Sequence, residues 1–254
     1  ILSLWACSRH LSKLDFDVLI NLHPNERCSF IDAMTSVKLR TGTTHKIFKW
    51  FWDVFTPLDR SMHAADMYLD VLQQLGVQDL SNNGLEIFPG EEHFLEAELF
   101  WQEQNITDQD KLIGFNIGSA VPTKRWPPER FAEVADIFAA KGYKTVFFGG
   151  PMDEEMVAEA TGYMQTRPII ATGHFAIGGL AAAMRRCCLI ITNDSGPMHV
   201  AISQKVPIVA MYGPSNPKLY GPYTKDAVIV TAQPPCQGCA DGMKHSCDDL
   251  QCMS

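Results

Sequence analysis

The chain lacks a surplus of positive charge, and it lacks an apolar run long enough to span a membrane. Its 254 residues include 29 acidic and 21 basic side chains, which gives a net charge of −8. A general nucleic-acid-binding protein shows a basic surplus, so we expect no nucleic-acid partner. A transmembrane helix needs roughly 20 consecutive apolar residues, and no stretch of the sequence approaches that length. The composition indicates a folded globular protein with enough material for one large or two ordinary domains.

The sequence opens on Ile1 and a short apolar stretch, without a start methionine or a basic leader. This opening is not a convincing signal peptide, and we expect the chain to begin inside a larger protein. The sequence contains no internal repeat and no low-complexity tract. It also lacks the Gly-x4-Gly-Lys-Ser/Thr order of a P-loop.

The eight cysteines divide into two groups. Cys7, Cys28, Cys187 and Cys188 lie in or beside apolar segments and are typical of small buried side chains. The other four crowd the last stretch, at Cys236, Cys239, Cys247 and Cys252. A C-x2-C pair followed by two more thiols can ligate zinc or an iron–sulfur cluster, or form disulfides. The later spacings match no firm zinc template, so these four are weak metal candidates, and the sequence favours reduced thiols without a metal.

Strand and helix patterns alternate closely in the second half of the chain. Apolar runs predict buried strands at residues 111–117, 145–148, 169–170, 188–191 and 208–212, with helical spacing between them. Such βα repetition is typical of a doubly wound parallel sheet with helices on both faces. The N-terminal part is shorter and less regular. The sequence therefore predicts two α/β lobes, residues 1–95 with a linker and residues 96–254.

The most informative stretch is the octapeptide from Thr192 to His199, which follows a predicted buried strand and precedes a helical stretch. The free N–H groups and the dipole of a helix N-terminus attract anions. Asp194, Ser195 and His199 add a carboxylate, a hydroxyl and an imidazole at the carboxyl edge of the sheet, where open α/β folds bind ligands. Taken alone, the residues are equally typical of a helix cap with a glycine turn.

Two further loops follow predicted strands. The loop 118–127 carries hydroxyls and two cations including Lys124; it can hold a diphosphate, although a solvated surface loop has the same pattern. The loop 149–155 carries Glu154, which either binds ribose hydroxyls or only interacts with the helix dipole. Because parallel strands end at one edge of the sheet, we expect Lys124, Glu154 and Asp194 to surround one cavity suited to a nucleotide diphosphate-sugar.

Four motifs, in their order along the chain, resemble glycosyltransferase family 9, the heptosyltransferases of lipopolysaccharide inner-core synthesis. They are Lys124-Arg125-Trp126-Pro127, Phe148-Gly149-Gly150, Asn193-Asp194-Ser195-Gly196-Pro197-Met198-His199 and Tyr212-Gly213-Pro214. Residues 16–22, Gly221-Pro222 and the late cysteines also fit, so the resemblance covers nearly the whole chain. It implies a GT-B architecture of two Rossmann-like lobes, with the N-terminal lobe incomplete in this sequence and with ADP-heptose bound mainly by the C-terminal lobe.

The resemblance assigns roles to residues by their position in these motifs. Lys124 and Asp194 are the candidate catalytic residues, with Lys124 on the phosphates and Asp194 on the sugar hydroxyls. The other donor-binding candidates are Ser119 and Thr123 as hydroxyl donors, Glu154 near the ribose, Phe175 against the adenine, and Ser195, Gly196 and His199 along the diphosphate. Ala120 replaces a hydroxyl residue that some members carry, which leaves one phosphate contact in question.

The implied reaction is an inverting displacement of ADP, without a cofactor or an essential metal. Such a displacement needs a general base for the acceptor hydroxyl and stabilisation of the growing diphosphate charge. In the family the base is an aspartate in a Gly-Asp loop, which would lie upstream of Ile1. If the protein starts at Ile1, we expect donor binding without efficient transfer, and robust turnover by this polypeptide would refute that expectation.

The implied acceptor is the lipopolysaccharide core, which places the enzyme in the cytoplasm with transient contact to the inner membrane surface. An aromatic stretch could face that surface or serve ordinary core packing; it comprises Phe48, Trp50, Phe51, Trp52 and Phe55, with Lys46 and Lys49 beside it. His63 either approaches the acceptor or has a structural role. Two other hypotheses stay open: a GT-B transferase that uses another nucleotide-sugar, and a truncated, non-catalytic nucleotide-binding module.

Overall fold

The protein forms two compact units in a computed structural model, Ile1–Asn82 and Asn83–Ser254. The structure describes residues 2–23, 25–44, 50–57, 59, 61–236, 238–239, 247 and 249–254. The division lies earlier than the predicted boundary between residues 95 and 96. The reason is helix α4 (Glu91–Glu103), which packs against helix α7 (Ile177–Met184) and so lies within the second unit.

The first unit contains a parallel sheet in the order β1-β2-β3. Its elements are α1 (Leu2–Ser12), β1 (Val18–Asn21), α2 (Glu26–Met34), β2 (Leu39–Thr44), β3 (Val54–Pro57) and α3 (Ala64–Gln74). Side chains cap two of the helices. The Asn25 side chain accepts a hydrogen bond from the Cys28 backbone N–H, and the His63 Nδ1 accepts one from the Ala65 N–H at 3.1 Å. His63 therefore has a structural role as an N-cap.

The second unit contains a parallel sheet of six strands in the order β6-β5-β4-β7-β8-β9. Its strands are β4 (Leu112–Asn116), β5 (Lys144–Phe148), β6 (Ile169–Ile170), β7 (Cys187–Asn193), β8 (Ile208–Met211) and β9 (Ala227–Val230). Its other helices are α5 (Pro128–Ala140), α6 (Glu154–Tyr163), α8 (Gly196–Ser203) and α9 (Pro217–Tyr220). The chain runs outward from β4 through β5 to β6, then crosses back to β7 on the other side of β4 and continues outward to β8 and β9. The topological switch point therefore lies between β4 and β7.

Apolar side chains cover both faces of this sheet. One cluster joins α4, α7 and α8 to the sheet through residues such as Trp101, Met184 and Ile202. A second cluster joins α5 and α6 to the opposite face through Phe131 and Val157. Burial on both faces explains why the central strands appear in the sequence as nearly continuous apolar runs. The predicted parallel α/β class is confirmed.

The helices of the described part of the chain are short. None of them combines the length and apolarity that a membrane span requires.

Candidate functional site

A cavity of about 340 Å³ opens at the carboxyl edge of the six-stranded sheet. Its lining comes from the loops after β4, β5 and β7, and it comprises Asn116, Gly118, Ser119, Ala120, Arg125, Gly150, Pro151, Met152, Asp153, Ser195, Gly196 and Pro197. This place is the switch point of the sheet, where open α/β folds bind ligands. Three predicted donor-binding residues, Ser119, Ser195 and Gly196, contribute to the lining.

Lys124 and Asp194 form an ion pair beside this cavity. The Lys124 Nζ lies 2.7 Å from the Asp194 Oδ2, with 15% and 7% of the two side chains exposed. Lys124 ends a 3-10 turn (Pro122–Lys124), whereas Asp194 directly follows β7. Of the three residues expected to converge, Lys124 and Asp194 therefore lie in direct contact.

Two hydroxyls complete the surroundings of the Asp194 carboxylate. The Ser215 Oγ donates to its Oδ2, and the Tyr212 hydroxyl lies 3.2 Å from its Oδ1. Burial raises the pKa of Tyr212, and the nearby Asp194 charge and hydrogen bond add to that effect. The sequence contained Tyr212 in a quoted motif, but neither hydroxyl was predicted to contact Asp194.

Asn193 ties the loops after β4 and β7 together. Its Nδ2 donates to the Ile117 carbonyl at 2.7 Å, and its Oδ1 accepts from the Trp126 N–H at 3.0 Å. The Arg125 Nε donates to the Ser119 carbonyl at 2.8 Å. These bonds hold the loop that carries Lys124 in a defined position against the end of β7.

Asp153 is the carboxylate that lines the cavity. Its Oδ2 accepts from the Gly150 N–H at 2.8 Å. A Cβ at Gly118 would collide with the same carboxylate, so glycine at this position leaves room for the Asp153 side chain. The sequence reasoning selected the neighbouring Glu154 instead, although Asp153 lies in the same quoted stretch.

The remaining predicted donor residues lie outside the cavity lining. Glu154 is exposed at the start of α6, with its carboxylate against Gly173. Phe175 packs edge-on against Phe100, with 5.1 Å between the ring centroids. Thr123 is buried in the 3-10 turn, and His199 is half-buried in α8. The cavity lining includes none of Lys124, Glu154 and Asp194. The structure brings Lys124 and Asp194 together as an ion pair, and Glu154 is not part of that pair.

The late cysteines are free thiols, Cys236, Cys239, Cys247 and Cys252. Burial raises the pKa of Cys252, and the charges of the other three thiolates raise it further. Within the described residues, no group of three or more His, Cys, Asp or Glu side chains is arranged to hold a metal ion.

The first unit has a buried carboxyl and an aromatic stretch of mixed exposure. The Asn21 Nδ2 donates to the Asp32 carboxylate, whose pKa is raised by burial against the lowering effects of Asn21 and Arg40. Trp50 is 82% exposed and Phe51 is also exposed, whereas Trp52 is 7% exposed. Lys46, Phe48 and Lys49 of the predicted stretch lie outside the described residues.

The chain matches a family of known transferases. Residues 4–247 match the family model described as glycosyltransferase family 9 (heptosyltransferase). Lipooligosaccharide heptosyltransferase 2 of Haemophilus ducreyi is 34% identical over 139 residues, 52% of this chain and 40% of that protein. The lipopolysaccharide core heptosyltransferase OpsX of Haemophilus influenzae is 25% identical over 234 residues, 88% of this chain and 63% of that protein. The chain spans less than two thirds of both relatives.

Solved structures share the fold. A glycosyl transferase family 9 protein from Veillonella parvula has a TM-score of 0.82 and 57% identity, covering 89% of this chain and 66% of that one. E. coli ADP-heptose lps heptosyltransferase II has a TM-score of 0.75 and 24% identity, covering 90% and 72%. E. coli heptosyltransferase WaaC with ADP has a TM-score of 0.64 and 18% identity, covering 90% and 70%. The predicted GT-B fold class is confirmed.

Proposed function

The chain belongs to glycosyltransferase family 9. We propose that it forms part of a transferase that moves heptose from ADP-heptose to a lipopolysaccharide inner-core acceptor. The curated relatives are named as lipopolysaccharide or lipooligosaccharide heptosyltransferases. E. coli WaaC of the same fold is solved with ADP and with ADP-2-deoxy-2-fluoro heptose. A UDP-GlcNAc 2-epimerase also shares the fold at a TM-score of 0.52, so fold alone does not select the donor or the reaction.

The observation that carries the proposal is the Lys124–Asp194 pair at the switch point, next to a cavity with hydroxyls and a helix N-terminus. A nucleotide diphosphate-sugar offers negative oxygens for a cation and hydroxyls for a carboxylate. In the proposed complex, Lys124 binds the diphosphate and Asp194 accepts from sugar hydroxyls. The N-terminus of α8, which begins at Gly196, adds a favourable dipole for the phosphates.

The proposed chemistry is a direct displacement at the anomeric carbon with inversion. The acceptor oxygen forms a new bond to that carbon while the bond to the ADP oxygen breaks, and a base takes the acceptor proton. Charge grows on the departing diphosphate, so cationic groups placed there lower the barrier. Lys124 and Arg125 supply this positive charge within the described part of the chain.

The proposed acceptor is anchored to lipid, so the enzyme would act on the cytoplasmic side at the membrane surface. The exposed Trp50 and Phe51 support such a contact, because aromatic side chains suit the interface between water and lipid.

Calorimetric titration with ADP-heptose, UDP-glucose and GDP-mannose tests the donor assignment. We expect ADP-heptose to bind most tightly and Lys124→Ala to weaken it. Preference for another nucleotide-sugar would favour a different GT-B transferase. Binding of ADP with no gain from the sugar would favour a nucleotide-binding module and overturn the heptosyltransferase proposal.

A further inference from the structure

Asn116 is the last residue of β4, is fully buried, and contributes to the lining of the cavity. No sequence motif singled it out, because a polar residue at the end of an apolar run is common. Its neighbour in the sheet register is Thr192 of β7. The side chain therefore lies on the switch point itself, between the two strands whose loops build the candidate site.

Both amide hydrogens of Asn116 have partners. The Nδ2 donates to the Thr192 Oγ1 at 3.1 Å and to the Ser195 Oγ at 2.8 Å. These two hydroxyls donate their own hydrogens to the Asn193 carbonyl, at 2.8 Å and 3.3 Å. Since each hydroxyl has one hydrogen, both must accept from Asn116. The network therefore fixes the orientation of the amide group.

The carbonyl oxygen of Asn116 differs from the amide nitrogen in its hydrogen bonding. Its Oδ1 is buried and has no hydrogen-bond partner among the described residues. Buried polar atoms without a partner are rare in folded proteins, and each one is costly. A rotation of the amide cannot relieve it, because the network requires the Nδ2 on the other side. The Asn116 Oδ1 is therefore an acceptor that a ligand could supply with a donor.

We propose that the Asn116 Oδ1 accepts a hydrogen bond from a hydroxyl of the nucleotide-sugar bound in this cavity. A diphosphate at neutral pH presents acceptor oxygens only, so the donor belongs to the nucleoside or to the transferred sugar, both of which carry hydroxyls. Asn116 is then a specificity-determining residue that distinguishes a hydroxyl-bearing ligand from a bare diphosphate. This inference rests on the proposed function, since it requires a nucleotide-sugar in the cavity.

The test compares three probes, pyrophosphate, ADP and ADP-heptose, by calorimetric titration of the whole chain. We expect Asn116→Ala to weaken a hydroxyl-bearing probe about fivefold more than pyrophosphate, as loss of one neutral hydrogen bond does. An excess loss already present with ADP assigns the nucleoside, and one seen only with ADP-heptose assigns the transferred sugar. Equal weakening of all three probes would show a purely structural role and overturn the inference.

Thr192→Val is the matched control, because it removes a partner of the Asn116 Nδ2 and leaves the Oδ1 in place. We expect it to change the three affinities by one common factor. A selective loss of ADP-heptose in Thr192→Val that equals the loss in Asn116→Ala would contradict the role of the Oδ1. Failure of ADP-heptose to bind the unchanged protein would instead contradict the proposed function, so the two failures are distinguishable.

Discussion

The contribution of the Lys124–Asp194 pair to the stability of the second unit can be predicted as a free energy. Asp194→Asn removes one charge with little change of shape, and Lys124→Met removes the other. Asp194 keeps contacts with Ser215 and Tyr212 when Lys124 is gone. Lys124 has its ion pair with Asp194 and loses it in Asp194→Asn. The two single variants should therefore destabilise the second unit unequally, with Asp194→Asn the more costly.

The magnitude follows from the distance and the burial. Two unit charges 2.7 Å apart attract each other by about 6 kcal/mol at an effective dielectric constant of 20. Desolvation of two largely buried ions offsets most of this attraction. We expect a coupling free energy of about 2 kcal/mol, within the range seen for residues in contact. Asp194→Asn should cost about 3 kcal/mol, because it leaves a buried cation without its partner.

A double-mutant cycle on the two single variants and the double variant measures the coupling. Hydrogen exchange of amides in β7 reports the opening free energy of the second unit separately from the first. If the double variant loses the sum of the two single losses, within about 0.5 kcal/mol, the pair contributes no coupling and the reasoning fails.

We also expect the two variants to have different effects on the binding of pyrophosphate. Lys124→Met should weaken pyrophosphate by roughly tenfold or more, because a charge-assisted hydrogen bond is lost. Asp194→Asn removes a carboxylate that competes with phosphate for the same ammonium group, so it should leave pyrophosphate binding unchanged or tighter. Equal weakening by both variants in calorimetric titration would refute this division of roles.

Three further predictions concern other charges and aromatic residues. Asp153→Asn should tighten pyrophosphate binding about threefold by removing a negative charge from the cavity lining, whereas Glu154→Gln, outside the lining, should change it less than twofold in the same titration. Burial raises the pKa of Asp32 above 3.8, so the folded state keeps this proton longer than the unfolded state, and stability falls as pH rises through the raised pKa. Asp32→Asn should therefore gain stability relative to the unchanged protein at pH 7 and lose that gain at pH 3, as measured by exchange of amides in β1; an equal difference at both pH values would contradict it. Trp52→Ala should destabilise the first unit by about 3 kcal/mol, whereas the exposed Trp50→Ala should change its stability by less than about 0.5 kcal/mol, both measured by the same exchange experiment.

The central strands of the six-stranded sheet could be predicted from the sequence because they are buried on both faces, whereas the edge strand β9 is largely exposed. The runs near Leu112, Val146 and Ile190 are largely apolar; the first two end at a glycine, and the third ends at the polar Thr192. Helix α1 and strand β3 were not predicted. The first turn of α1 has no acidic residue, and β3 has only four residues, so neither carries a strong local signal.

The candidate site was predictable in its outline and not in its details. Lys124 and Asp194 follow strands that end at one edge, and that placement alone predicts their approach. The choice between Asp153 and Glu154 depends on the 3-10 turn (Pro151–Asp153) before α6, which turns the first carboxylate toward the cavity. The role of Asn116 depends on its register with a strand far along the chain, and local sequence contains no information on that register.

The ion pair and the proposed ligand are linked through the same atoms. When a diphosphate binds the Lys124 ammonium group, the Asp194 Oδ2 loses the donor that lies 2.7 Å away. This oxygen then accepts from the Ser215 hydroxyl alone, and its burial makes a second donor favourable, so we expect a hydroxyl of the same ligand to replace the ammonium group. A bare diphosphate breaks the pair without replacing the lost donor, whereas a nucleotide-sugar does both. We therefore expect the resting pair to lower affinity for diphosphate alone and to raise selectivity for a ligand that joins phosphates to a sugar.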